Sequence, residues 1–384
     1  MFLLRMVFRN AFRHRLRTAL TVIGLAVAVL AYGLLQTVVN AWYAGAESAS
    51  NARLVTRNSI SLVFPLPLSY QNRIRAVEGV SEVAYSRWFG AIYKEPKFFF
   101  PQFAVSGNYL DLYPEFVLPE EQRVAWMRDR KGALVGRQLA DDLGFQIGDV
   151  LPLQGTIYPG TWEFIVRGIF TGADETKVTR QMLFHWSYLN ETLRKTAARR
   201  ADYVGVYISG IDNADNAASI SRDIDAVFRN SLAETLTETE QAFQLGFVAM
   251  SDQIIAAIRV VSYVVILIIL AVMANTMAMS ARERTSEYAT LKALGFGPGF
   301  LALLILGESM AISIIGGGLG LALTYPAAEG FKQAAGNVFP IFNISAETIN
   351  LQIASTIAVG ILAAIVPAIQ AARVRIVDGL RAIA

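Results

Sequence analysis

The stretch Val260-Val261-Ser262-Tyr263-Val264-Val265-Ile266-Leu267-Ile268-Ile269-Leu270-Ala271-Val272-Met273-Ala274-Asn275-Thr276-Met277-Ala278-Met279-Ser280-Ala281 carries no acidic or basic side chain. At 1.5 Å per residue, about 20 apolar residues in a helix cross the roughly 30 Å of a bilayer's hydrocarbon. Three further runs meet the same requirement: Thr18 to Ala46, Ala293 to Ala328 interrupted only by Glu308, and Thr348 to Ala372. Signal-peptide cores run roughly 7 to 15 residues, so the first run is too long to be one and reads as an anchor. Four spanning helices are therefore expected. The composition agrees, since 54% of the 384 residues are hydrophobic, 17% are charged, and the mean hydropathy is +0.41.

Orientation follows from the flanks of these runs. Arg5, Arg9, Arg13, Arg15 and Arg17 precede the first, Arg282, Arg284 and Lys292 follow the second, and Arg373, Arg375 and Arg381 follow the fourth. The loop between the third and fourth holds only Lys332 as a basic residue. The positive-inside rule then puts both termini and the middle connection in the cytoplasm, with residues 47–253 and the short loop 326–347 outside it. A pI near 9.0 is explained by these flanking arginines, and no nucleic-acid partner is expected.

Residues 1–17 read as an amphipathic helix lying along the inner leaflet, with Arg5, Arg9 and Arg13 toward lipid phosphates or a cytoplasmic partner. The remaining divisions are a first span over 18–46, an extracytoplasmic domain with stalk helices over 47–253, and a second span over 254–281. A cytoplasmic helix over 282–297, a third span over 298–325, a fourth over 348–372 and a cytoplasmic tail over 373–384 complete the plan.

The external segment mixes patterns. In Trp162-Glu163-Phe164-Ile165-Val166-Arg167 and at Val204, Val206 and Ile208, large residues alternate as in strands. Ile220, Ile224, Val227 and Phe228 follow a helical stripe, with Asp212 or Asn213 as cap. An α+β domain with two lobes is expected. The runs Phe64 to Leu68, Trp88-Phe89 and Phe98-Phe99-Phe100 are either core strands or sites for apolar cargo or a partner.

Chemistry-bearing motifs are missing. There is no cysteine, which excludes disulfides and thiolate catalysis. The two histidines, His14 and His185, make no His-Glu-x-x-His motif, and no Gly-x-Ser-x-Gly elbow occurs. No catalytic, metal or cofactor site is expected. A Gly-x-x-x-x-Gly-Lys-Ser/Thr loop is also missing, so if the chain takes part in ATP-driven transport, ATP and Mg would sit on a separate ATPase chain.

From Asn275 the second run continues as Arg282-Glu283-Arg284-Thr285-Ser286-Glu287-Tyr288-Ala289-Thr290-Leu291-Lys292-Ala293-Leu294-Gly295. This resembles the signature of MacB/FtsX-like permeases of ABC transporters, in which Glu-Arg-x-x-Glu and then Lys-Ala-x-Gly follow a membrane helix. Glu308 with Gly316, Gly317, Gly318 and Gly320 is similar to a second family pattern, and Pro367-Ala368 through Leu380-Arg381 to its closing one. Val77 to Val80, Gly132 to Gly136, Leu143-Gly144, Gly148-Asp149 and Val166 to Ile169 are similar to the MacB-type periplasmic core domain. Tyr288-Ala289 and Ile376 depart from the usual pattern.

The resemblance implies an α-helical membrane protein with four spans and a large α+β domain between the first and second. It implies a permease subunit, without a fused ATPase, that is driven by a separate ABC ATPase dimer and moves an amphipathic cargo by mechanotransmission. The alternative is an FtsX-like signalling module controlling a cell-wall hydrolase. The coupling residues would be Glu283, Arg284, Glu287, Lys292 and Gly295, on the surface of a cytoplasmic helix. Stalks would run over Glu47 to Arg57 and Leu236 to Gln253. Glu308, an acid within a span, is either a structural brace or a handler of protons or cargo. The four-residue spacings Gly24/Ala28, Gly316/Gly320 and Gly360/Ala364 fit close helix packing, within the chain or across a dimer of this chain or with a paralogous permease. Other implied partners are a periplasmic adaptor or lipoprotein and membrane lipid. The implied location is the bacterial cytoplasmic membrane.

Overall fold

The computed structural model describes residues 2–47, 49–173, 179–335 and 342–376. Four of its helices are long and apolar enough to cross a membrane: Arg15–Glu47, Asp252–Glu283, Pro298–Ala335 and Ala346–Arg373. The chain divides into two compact units, one built on Trp42–Met250 and the other on the flanking helices.

Small residues set the packing of the helical unit. A Cβ on Gly320 would sit 2.5 Å from the Ala26 carbonyl oxygen and 2.9 Å from Val29, and one on Gly316 would sit 3.0 Å from Leu25. The third span thus lies backbone-close against the first. Gly360 likewise faces Met310 and Ser313, and Gly24 faces Ile269, so these glycines serve packing within the chain. Hydroxyls join the same surfaces: Ser309 donates to the Gly360 carbonyl at 2.6 Å, and Gln352 Nε2 donates to the Val29 carbonyl and to Thr324 Oγ1, both at 2.9 Å. Replacing Gly320 by alanine should therefore cost about 1–3 kcal/mol through overpacking. Detergent-titrated unfolding of the full chain measures this cost, and Gly318→Ala, which meets nothing within 4 Å, should be silent.

Helix bounds differ from expectation in physical ways. The N-terminal segment is a helix over Phe2–Ala11 followed by a separate one from Arg15, and Thr18 Oγ1 closes the first by donating to the Ala11 carbonyl at 2.6 Å. The second span extends to Glu283, and the short helix after it is Thr285–Ala293. The third helix carries Pro326 inside and continues to Ala335. The side chain of Arg5 and the tail residues Leu380 and Arg381 lie outside the described residues.

The Trp42–Met250 unit carries an eleven-stranded sheet. Its order begins with Thr235–Thr239, Arg53–Asn58, Val206–Ile211, Val80–Trp88 and Gln102–Val105. It continues with Met182–His185, Gly132–Gly136, Gly160–Gly172, Val150–Gly155 and Ala91–Tyr93. Phe116–Val117 pairs with the far end of Gly160–Gly172. Two lobes do not separate, because Gln102–Val105 pairs in parallel with Met182–His185 and joins the halves. Trp162, Phe164 and Val166 are buried on one face, as their alternation implies, and Asn213 caps the turn before Ala217–Val227 by accepting from the Asp215 amide.

Both stalk expectations are corrected. Arg53–Asn58 is a strand, held between Thr235–Thr239 and Val206–Ile211 with Leu54, Val55 and Thr56 buried. Residues 235–239 are also a strand; the helix that follows spans only Glu240–Met250, and the next starts at Asp252. The first strand carries a buried cluster in which Arg53 bonds Glu240 at 2.8 Å and Glu115 at 2.5 Å and lies over the Tyr113 ring, whose hydroxyl donates to Glu240.

His185 ends its strand buried and stacked on Trp126 at 4.2 Å, and its Nε2–H donates to the Trp126 carbonyl at 2.8 Å. Burial holds its imidazole below the ordinary value of 6.5. The unfolded chain then binds this proton more readily, so stability is lost as pH falls from about 6.5 toward the lowered folded value. The melting midpoint of the full chain should drop in that window, and by less in His185→Phe.

Candidate functional site

The motif residues converge where the second span ends. Arg284 leaves helical geometry at φ −108° and ψ 17°, closing Asp252–Glu283 and starting Thr285–Ala293. At this corner its side chain turns inward and is 4% exposed. Nη1 donates to both Glu308 oxygens at 2.7 and 2.9 Å, and Nε donates to Glu287 at 3.0 Å. The guanidinium also lies over Tyr288, 5.3 Å from the ring centroid.

Glu308 is 3% exposed and faces this arginine. Two buried charges offset their desolvation only when geometry is good and remaining donors are satisfied, and here three guanidinium bonds meet two carboxylates. The pair links the corner to the third span. It also corrects the expectation that Arg284 lies on the helix surface.

The other acids are also engaged within the unit. Glu287 pairs with Arg13, and Glu283 takes two bonds from Arg17 at 2.8 and 2.9 Å with His14 3.5 Å away. Lys292 donates to the carbonyls of Ala372 and Val374 at 2.7 and 2.8 Å, which satisfies the open end of the fourth span. Arg9 is exposed. Gly295 has φ +94°, a left-handed value that glycine adopts without strain.

The exposed part of the junction is consequently its end. Thr290 and residues 293–299 are exposed, with Leu294 at 72% and Phe296 at 40%. Sequence reading missed this apolar tip because the motif's charges drew the assignment, although Leu294-Gly295-Phe296-Gly297-Pro298 already held the signal: two large apolar residues in a turn-forming stretch.

The aromatic candidates in the other unit part company. Phe100 and Phe89 are fully buried core, Phe98 is half-buried, and Phe99 is exposed beside Trp88. Phe64 and Trp88 line a cavity, together with Arg87 and Arg200. Among the described residues no group of histidine, aspartate and glutamate is arranged to hold a metal ion.

Residues 259–376 match the model of the FtsX-like permease C-terminal domain. Similar sequences include the uncharacterized ABC transporter permease protein Rv0987 of Mycobacterium tuberculosis, 26% identical over 63% of this chain. That match spans 28% of the relative's own length. Another is the uncharacterized ABC transporter permease MJ1507 of Methanocaldococcus jannaschii, 23% identical over 97% of this chain and 96% of the relative. Among solved structures, the extracellular domain of the noncanonic ABC-type transporter YknZ from Gram-positive bacteria covers 49% of this chain and 98% of itself, with 12% identity and a TM-score of 0.35. The periplasmic region of MacB from Actinobacillus actinomycetemcomitans covers 51% and 92%, with 8% identity and a TM-score of 0.36. The residues that match this FtsX-like permease C-terminal domain take in most of the last three spans and the Arg284–Glu308 corner between two of them.

Proposed function

We infer that this chain is a non-catalytic membrane subunit of an ATP-driven ABC transporter, residing in the cytoplasmic membrane with both termini in the cytoplasm. The observation that carries the reading is the junction after the second span of an FtsX-like domain: a short helix braced from within by ion pairs, with Leu294 and Phe296 exposed at its end. An ABC ATPase dimer, holding ATP and Mg, seats on that tip. Because Arg284, Glu287, Glu283 and Lys292 fasten the junction to the third span, the N-terminal segment, the first span and the fourth span, a displacement of the tip moves several elements together. Two copies of the chain would serve the two ATPases. Work is delivered to the Trp42–Met250 domain outside the cytoplasm, which takes up an amphipathic cargo. That both sequence relatives bear the name ABC transporter permease supports the reading.

Affinity purification of the full chain from native membranes in mild detergent, followed by mass spectrometry, tests it. An ABC ATPase in the bound fraction, with or without an adaptor or lipoprotein, is the expected result. An ATPase accompanied by a cell-wall hydrolase or its activator would replace transport by signalling, and the reading fails if no ATPase is retained.

A further inference from the structure

The Trp42–Met250 unit holds a cavity of about 1370 Å³ against the sheet face of Val55, Val206 and Ile208. Ligand pockets usually measure about 300–1,000 Å³, so this one is ample for a long chain. The loop after the Arg53–Asn58 strand offers Ile60, Val63 and Phe64 to it, all three solvent-exposed, and Trp88 adds a further exposed ring. Contiguous exposed apolar surface of this kind is uncommon unless something covers it.

Its charges are unbalanced. The lining contains four arginines and two glutamates, and both glutamates, Glu115 and Glu240, are taken by Arg53. Among the described residues, Arg87, Arg199 and Arg200 form no ion pair. Arg87 is the informative one, because it is 8% exposed. Its Nη1 donates to the carbonyls of Arg200 and Tyr203 at 2.9 and 3.0 Å, which orient the guanidinium without neutralising it. Burial pulls its pKa below the ordinary value, a sign of a cation short of counter-charge. A buried charge normally has a partner, and the planar guanidinium fork suits phosphate and carboxylate oxygens.

We propose that this cavity binds an amphiphile with an anionic headgroup, its alkyl chain along Ile60, Val63, Phe64 and Trp88 and its headgroup on Arg87, Arg199 and Arg200. The proposal rests on the transport reading only in calling the ligand cargo; binding itself needs no ATPase, so the two fail separately.

The test is equilibrium binding to the full chain held in amphipol, with decyl phosphate, decanol and inorganic phosphate as probes. Decyl phosphate is expected to bind at least about ten-fold more tightly than decanol, and equimolar inorganic phosphate should not displace it. The Arg199→Gln/Arg200→Gln pair, which alters only exposed side chains, should bring decyl phosphate to within about three-fold of decanol, and Val63→Asp should weaken both alkyl probes. Equal binding of the two alkyl probes would overturn the proposal, as would unaltered preference in the double variant. Displacement by equimolar inorganic phosphate would identify a free-anion site and overturn it too.

Discussion

Replacing Arg284 by alanine is expected to destabilise the membrane unit by about 3–5 kcal/mol, the usual result of leaving one partner of a buried ion pair uncompensated. Glu308 is 3% exposed and both its oxygens accept from Arg284, so water cannot take over the lost bonds. The double variant Arg284→Met/Glu308→Leu should recover most of the loss, since apolar replacement of a whole buried pair is often neutral or stabilising. Detergent-titrated unfolding of the purified chain reads both. A cost below about 1 kcal/mol for the single variant would put the pair in the class of weak surface bridges. Recovery of stability without recovery of ATP turnover would show that the pair fastens the junction for motion as well as for folding.

The second large effect concerns the partly exposed acids. Glu283→Lys with Glu287→Lys would set two new cations among Arg13, His14, Arg17 and Arg284, all of which now face those carboxylates. Each exposed pair contributes only about 0–1 kcal/mol, so the helices should still insert, and in the proposed orientation the added positive charge falls on the cytoplasmic side, as the positive-inside rule favours. Repulsion would instead drive the N-terminal segment from the junction and displace the tip proposed to seat the ATPase. ATPase retention should fall at least about ten-fold. Adding Arg13→Glu and Arg17→Glu restores the pairs with signs exchanged and should restore retention. Full retention in the first variant would mean that the tip does not depend on its bracing.

The spans were legible because a bilayer demands length and apolarity together, and both can be counted along Val260 to Ala281. The strand at Trp162 to Arg167 was legible for a related reason: one buried face imposes a period of two. Arg53–Asn58 escaped the same reading because Arg53, Leu54, Val55 and Thr56 are all buried. A strand covered on both faces loses its alternation, and in sequence such a segment looks like a continuation of the preceding helix. The inward turn of Arg284 was hidden too, since Glu308 lies on another helix and Arg17 meets Glu283 across 266 positions. Sequence spacing identified the motif's charges but not which way they point. The arginine end of the cavity is assembled from Arg87 and the 199–200 turn, which meet across 113 positions where Arg87 donates to the Arg200 carbonyl, so no local pattern announced it.

The chain contains no cysteine, which makes a single introduced thiol an unambiguous probe of the junction. Leu294→Cys, on the exposed tip, should crosslink in native membranes to an ABC ATPase through a short thiol-to-amine reagent. Ser61→Cys, in the loop of the Trp42–Met250 unit, should not. An ATPase adduct at position 294 alone is the predicted result. No ATPase adduct at position 294, or an equal yield from position 61, would contradict the assignment of this helix as the ATPase seat.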